Sequence, residues 1–355
     1  DFSKLKSVDC AAICVPTPLS KTKDPDVAFI LSAMDQIQKY VHKEMLIVLE
    51  STTYPGTTEE LILPRLEEKG LKVGKDFYLA FSPERIDPGN KQFHTANTPR
   101  VVGGATPKCR KIAKEFYLCI VDNVIDVSST KGAEMVKLLE NTFRSVNIGL
   151  VNEVALMCDR LGLDVWEIIG AAATKPFGFM PFYPGPGLGG HCIPIDPHYL
   201  SWKLKSLNYY ARFIELAGDI NTHMPEYVID RVTRHMNDHG RALKGAKVLI
   251  LGVAYKPDIS DVRESPALDV IKLMQDRGAK VVYNDPYVPI VRFDSGDLKS
   301  QKLTKKLLQS AACTIIVTNH SDYDYQWVVD NSNLAFDTRN ATKNVKGNKR
   351  KIAKL

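Results

Sequence analysis

Two stretches in which strand and helix signals alternate, separated by a long middle section that carries helix signals alone, constrain this chain more than any other feature. Residues 8–15 form a short apolar run rich in β-branched side chains and closed by Pro16 and Pro18, which reads as a buried strand. Residues 45–49 read the same way. Between them Val27, Ile30, Leu31, Met34 and Ile37 recur at three and four positions, a helical stripe opened by Asp24-Pro25-Asp26. A helix over 56–69, strands at 78–81 and 101–103, a helix over 107–118 and a strand at 123–127 continue the pattern. Helices should therefore cover both faces of a mostly parallel sheet.

From residue 129 the period changes. Leu139, Phe143, Val146, Leu150, Val154, Met157 and Leu161 step by threes and fours, which predicts one long helix with this stripe in the core. Glu134, Lys137, Asn141 and Arg144 lie roughly opposite; such a stripe is solvated unless another part of the protein covers it. A helix over 165–173, a Pro/Gly-rich segment over 176–197 and further helical pattern to about residue 239 follow. Alternation resumes at 247 with strands at 248–253, 280–283, 314–318 and 334–336 and a helix over 265–277. The expected fold is α/β: two Rossmann-like, doubly wound domains (1–128 and 223–342) joined by an all-helical domain (129–222), with a basic tail at 343–355.

The length of 355 residues favours several domains over one, and 44% hydrophobic with 25% charged residues excludes a disordered or fibrous chain. No apolar run is long enough to span a bilayer as a helix. The net charge of +6 equals the charge of Lys343, Lys346, Lys349, Arg350, Lys351 and Lys354, with no acid among them, so the rest is neutral. The tail is expected to be a solvated extension, with neither nucleic acid nor membrane as partner. Seven scattered cysteines without C-x-x-C pairs indicate neither a disulfide framework nor a metal site and fit the cytoplasm.

The run from Pro184 to Pro197 places four glycines and four prolines around Cys192. It reads either as a tight connection with a buried thiol, or as a site in which backbone N–H groups cradle an anion, His191 favours the thiolate and Asp196 shares a face with Cys192 if a helix starts after Pro194. Ser51-Thr52 and Ser82-Pro83-Glu84-Arg85 each follow a strand, at the edge where open α/β sheets bind ligands. A strand followed by G-x-G-x-x-G and a helix is absent, so the N-terminal domain is expected to be incomplete, without its first βαβ unit.

In this order, Val15-Pro16-Thr17-Pro18, Ser51-Thr52, Pro83-Glu84, Lys137 with Asn141, Asn152-Glu153, the glycine-rich run ending in His191-Cys192, Lys256 with Asp261 and Arg263, and Asp337-Thr338-Arg339-Asn340 resemble the NAD-dependent nucleotide-sugar 6-dehydrogenases, the family of the UDP-glucose and GDP-mannose enzymes. The segments 82–85 and 191–196 look like members acting on UDP-N-acetylhexosamines; UDP-glucose members usually have Ser and Lys where this chain has His191 and Ile195.

The resemblance implies a four-electron oxidation of the sugar C6 hydroxymethyl to a carboxylate with NAD as cofactor, on UDP-N-acetylglucosamine, with UDP-N-acetylmannosamine or UDP-glucose as alternatives. Cys192 would form a thiohemiacetal and then a thioester. Lys137 and Asn141 would stabilise oxygen charge, Asp196 would assist water, and Glu84 and Thr52 would position water and protons. Glu84, Arg85, Lys137, Asn141, Tyr183, Gly185, Gly187, Gly189, Tyr255, Lys256 and Arg339 would hold the UDP-sugar; Val15, Pro16, Thr17, Ser51, Thr52 and Arg263 would serve NAD. A homodimer or larger homo-oligomer is implied. From another class, the missing glycine loop would suit a nucleotide-sugar-binding module without activity.

Overall fold

A computed structural model describes residues 1–20, 24–87, 90 and 92–355. The chain forms two compact units, one of 1–143 with 195–211 and one of 144–194 with 212–355.

In the first unit β1 (Cys10–Ile13), β2 (Leu46–Leu49), β3 (Tyr78–Phe81), β4 (Arg100–Gly104) and β5 (Val124–Val127) make one sheet in sequence order. All neighbours are parallel except β3 and β4. Val48, Leu49, Leu79, Ala80 and Phe81 are buried because helices cover both faces. On one side α1 (Ala28–Tyr40) buries Ile30, Met34 and Ile37, three residues of the expected stripe. On the other α3 (Pro107–Leu118) is capped by Thr106, whose hydroxyl accepts from the Cys109 amide. The helix expected over 56–69 begins as a π-helical turn, Thr58–Ile62, and continues as α2 (Leu63–Glu67).

Helix α4 (Thr130–Leu161) is continuous, as the period predicts, but most of the expected apolar stripe is not in the core. Leu139, Phe143, Leu150, Met157 and Leu161 are exposed, and Met157 is still 48% accessible. Glu134 and Asn141, from the polar stripe, are buried along with Ala133, Leu138, Ser145, Val151, Asn152 and Ala155. Small residues let this face pack closely: a Cβ on Gly149 would lie 3.0 Å from that of Ala217. The first unit is completed by α6 (Asp196–Lys205), whose Lys203 pairs with Glu60 at 2.7 Å.

The second unit contains α5 (Val165–Ala172) and α7 (Arg212–Asn237), the latter running through residue 222, where a domain boundary is expected from the sequence. Its sheet is wholly parallel: β6 (Lys247–Leu251) lies between β7 (Lys280–Asn284) and β10 (Cys313–Ile316), followed by β11 (Ala335–Asp337) and β12 (Ile352–Lys354). Helix α8 (Pro266–Asp276), α9 (Lys305–Ser310) and α10 (Tyr325–Asn331) pack on it, and β8 (Ile290–Val291) and β9 (Leu298–Lys299) pair as a small sheet of their own whose Val291 is buried in the same core. The expectation of a solvated tail fails here. Ile352–Lys354 extends the sheet, Leu355 is buried, and the Trp166 indole N–H donates to the Leu355 carbonyl at 3.1 Å. Paired backbone and the apolar side chains of Ile352 and Leu355 hold the segment, and its lysines find protein partners: Lys351 Nζ donates to the Ser332 carbonyl at 3.1 Å and Lys354 Nζ lies 3.7 Å from Asp164.

Candidate active site

The candidate residues of the first unit meet at the carboxyl ends of β1, β2 and β3. Beyond β1, the Val15 carbonyl accepts from the Ser51 hydroxyl at 2.7 Å, and the Thr17 carbonyl accepts from the Tyr199 phenol at 2.5 Å. Thr17 and Ser51 are buried, Val15 and Thr52 half-buried and Pro16 exposed. Three residues before Tyr199, the Asp196 carboxylate accepts from the Asn141 amide at 2.5 Å. One turn earlier on α4, Lys137 Nζ donates to the Glu84 carbonyl at 2.7 Å. Thr17, Asp196, Asn141, Lys137 and Glu84 thus lie along one chain of contacts, with Ser51 joined through Val15.

Burial pushes the Asp196 carboxyl up to about 6, with Lys137 and the Asn141 hydrogen bond pulling the other way. At neutral pH it is mostly ionised, yet a small fall in pH protonates it. The Glu84 carboxylate is fixed on both oxygens: Oε1 accepts from the amides of Arg85 and Ile86, each at 2.7 Å, and Oε2 meets Arg100 at 3.1 Å. Arg85 is turned to protein groups, Glu140 at 2.7 Å and the Pro99 carbonyl at 2.6 Å.

Sequence reasoning missed Arg100. Its guanidinium, 9% exposed, joins Glu50 at 2.5 Å to Glu84 and stacks 4.6 Å from the Tyr117 ring. It thereby ties the segments after β2 and β3 together. The available signal was an arginine opening the otherwise apolar run Arg100-Val101-Val102. Glu134, placed in the polar stripe, is structural: it accepts from the amides of Gly56 at 2.5 Å and Thr58 at 2.9 Å and caps the π-helical turn.

In the second unit the glycine-rich segment is held from several sides. The Gly185 amide donates to Asn152 Oδ1 at 2.9 Å, Asn152 donates to Asn221 at 2.8 Å, and Asn221 donates to the Ser145 carbonyl at 3.2 Å. A Cβ on Gly185 would come 2.3 Å from Nη1 of Arg339. On Gly190, whose φ is +91°, it would come 2.9 Å from the Tyr255 ring, and on Gly189 2.7 Å from Tyr255 Cβ. Gly187, at φ +135°, faces Pro266 and the Asn221 carbonyl. Glycine is required because other chain already occupies the space where a side chain would go. Tyr183 stacks on Trp166 with centroids 6.2 Å apart, and Lys256 sits 6.0 Å from the Tyr255 ring.

Cys192 is half-buried and precedes α6, which starts only at Asp196. The expectation that the two share a helical face is therefore wrong: turns cover 193–195, and the helical i, i+4 relation does not hold. Burial and the Arg263 charge hold the His191 imidazole below its ordinary value, so at neutral pH it is a neutral neighbour of the thiol and not a cation favouring the thiolate. Arg263 makes a two-pronged pair with Asp261, at 3.0 and 2.6 Å, and its carbonyl accepts from the Gly190 amide at 3.1 Å. Burial lowers Arg339 to about 10 against the pull of Asp337, which leaves it cationic at neutral pH. A cavity of about 540 Å³ beside α5 and the β12 segment is lined by Lys343, Lys349 and Lys354 of the basic tail and touches none of the catalytic, substrate or cofactor residues expected from the sequence.

Domain descriptions of the UDP-glucose/GDP-mannose dehydrogenase family match in order: the NAD-binding domain over 1–121, the central domain over 131–223 and the UDP-binding domain over 249–344. The chain belongs to this family. A UDP-N-acetyl-D-glucosamine 6-dehydrogenase of Pseudomonas aeruginosa is 36% identical over 290 residues, covering 81% of this chain and 68% of that protein. A UDP-N-acetyl-D-mannosamine dehydrogenase of Methanocaldococcus jannaschii is 35% identical over 351 residues, 97% of this chain and 77% of that one. The solved UDP-D-ManNAc dehydrogenase of Pyrococcus horikoshii superposes with a TM-score of 0.86 at 33% identity, covering 96% of this chain and 79% of that one. The protein is thus an NAD-dependent oxidoreductase with a UDP-binding domain. At the carboxyl edge of β1 and β2, exposed Pro16 and half-buried Val15 and Thr52 offer apolar surface and one hydroxyl of the kind a dinucleotide uses, while the Ser51 hydroxyl is engaged by the Ile13 and Val15 carbonyls. Among the described residues no helix is long and apolar enough to cross a membrane, and no group of three or more His, Cys, Asp or Glu side chains is placed to hold a metal.

Proposed function

We propose that the enzyme oxidises the C6 hydroxymethyl of a UDP-N-acetylhexosamine, UDP-N-acetylglucosamine in the first instance, to the uronate through a covalent intermediate on Cys192. The observation that carries this reading is the buried Asp196, bonded to Asn141 one turn from Lys137, a few residues after the only thiol in the glycine-rich run. The chain from Cys192 to Asp196 is short, at most about 14 Å when fully extended.

Bound NAD would supply the hydride acceptor, held by Val15, Pro16, Thr17, Ser51 and Thr52. An aldehyde carbon cannot release hydride until a nucleophile makes it tetrahedral, and the Cys192 thiolate would do so, forming a thiohemiacetal. The Lys137 ammonium and the Asn141 amide would face the oxygen on which charge develops. After the second oxidation the thioester would be cleaved by water whose proton passes to Asp196, while Glu84 and Thr52 order that water. Cleavage frees the Cys192 thiol. Tyr183, Gly185, Gly187, Gly189, Tyr255, Lys256 and Arg339 would hold the diphosphate and sugar, with Arg85 orienting Glu140.

The N-acetylhexosamine class is favoured by His191 and Ile195 and by the names of the relatives; those names include both epimers, so epimer choice rests on a comparison of substrates. Purified protein given NAD and UDP-N-acetylglucosamine should form about two NADH per uronate, faster than with UDP-N-acetylmannosamine or UDP-glucose. Free uronate released at the normal rate by Cys192→Ala would refute the covalent route. The exposed Leu139, Leu150 and Met157 of α4 support self-association through that helix, which light scattering tests.

A further inference from the structure

Under the loop that follows β6, two side chains are withdrawn from solvent with no part in the reaction. His320 is fully buried and Asp285 is 3% exposed, and their side chains meet at 3.0 Å, His320 Nε2 to Asp285 Oδ2. The same carboxylate oxygen accepts from the amides of Val253 at 2.7 Å and Ala254 at 3.1 Å. The other oxygen accepts from the amides of Tyr287 at 2.8 Å and Val288 at 3.1 Å. On the far side of the ring, His320 Nδ1 lies 2.9 Å from the amide nitrogen of Asp258. An amide N–H can only donate, so Nδ1 is the acceptor and the ring proton sits on Nε2, directed at Asp285.

The pair therefore grips the loop at both ends, Val253 and Ala254 through Asp285 and Asp258 through His320. Asp258 needs the grip. It holds a left-handed φ of +64°, uncommon for a residue with a side chain, and its carboxylate accepts from the Ser321 amide at 2.8 Å. Between the gripped ends stand Tyr255 and Lys256. Tyr255 is the residue against which Gly189 and Gly190 pack, three and two positions before Cys192.

We propose that His320 is a positioning residue for nucleotide binding: its imidazole, proton on Nε2, holds the 253–258 loop in the shape that presents Tyr255 and Lys256 to the UDP moiety. This rests on the assignment of Tyr255 and Lys256 to the UDP-sugar. A loop ordered beforehand loses less freedom when the ligand arrives, and that difference appears in affinity.

The test is calorimetric titration of the 355-residue protein with UDP, which needs neither NAD nor turnover. His320→Phe keeps a planar ring, somewhat larger than imidazole, and loses both polar contacts; UDP affinity should fall about tenfold with unchanged stoichiometry. His320→Asn loses volume but keeps an acceptor near the Nδ1 position, so it should bind UDP more tightly than the Phe variant. A role in packing alone requires the reverse order. The inference is overturned if the Phe variant binds like the wild type or at least as tightly as the Asn variant, or if stoichiometry falls at constant affinity. Wild-type protein that fails to bind UDP refutes the assignment of Tyr255 and Lys256 and the inference with it. Should the Phe variant not fold, hydrogen exchange of the wild type decides: the amides of Val253, Ala254 and Asp258 should be protected without UDP, and exchange at open-loop rates overturns the inference.

Discussion

Replacing Asp196 by Asn separates two consequences of one buried charge. The carboxyl is 3% exposed and burial pushes it up to about 6, from an ordinary value near 3.8. A raised acid favours the folded state in its protonated form, so the wild type should lose stability as the pH rises from about 4 to about 6 and keep that deficit above. A shift of about two units corresponds to about 3 kcal/mol. Asp196→Asn, neutral throughout, should unfold at a higher temperature than the wild type at pH 7.5 and lose the advantage near pH 4. Its turnover should be nearly abolished, because no base receives the proton of the attacking water. In the wild type the ionised fraction should fall about tenfold between pH 7 and pH 5, whereas an unperturbed aspartate would lose less than about a tenth. Thioester hydrolysis should then limit the rate at pH 5, and intact-protein mass spectrometry should find the sugar acyl group on Cys192; Asp196→Asn should carry it at every pH. A midpoint near pH 4, with no adduct at pH 5 and no stability gain for the Asn variant, would refute the reasoning.

Arg100→Gln leaves Glu50 and Glu84 without their shared partner and should cost about 3 kcal/mol in urea denaturation. Gly190→Ala forces a side chain onto the Tyr255 ring at φ +91°; it should cost about 1–2 kcal/mol and lower kcat/KM for the UDP-sugar. Leu150→Asp, at a position 54% exposed in the chain by itself, should reduce the mass measured by light scattering to that of one chain.

Much of the fold was legible because two periods do not overlap: apolar runs of strand length between breakers cannot be confused with the three-and-four spacing of α1 or α4. The same signal fails when asked which face is covered. On α4 it predicted a core of Leu139, Leu150 and Met157, yet the buried face is made of Ala133, Ser145, Gly149 and Asn152, residues whose smallness and hydrogen bonds allow close approach. Amphipathicity says that a helix has two sides and is silent on which one meets its own chain. Strand β12 escaped notice for a related reason: three residues flanked by lysines have too little pattern to show pairing. Cys192, Lys137, Asn141 and Asp196 are proposed as reacting groups on motif resemblance. Arg100, His320 and Asp285 carry no such motif, because their importance lies in whom they meet across 16 to 62 residues of sequence.

Neither unit is a single stretch of polypeptide. When a ribosome has made residue 143, the first unit still lacks Asp196, Tyr199 and Lys203, which emerge only after the whole of 144–194. The nascent protein must keep an unfinished sheet-and-helix layer waiting while part of its neighbour is translated. No single cut in the gene yields either unit whole, so exchanging nucleotide specificity between relatives by swapping halves would require three junctions placed together.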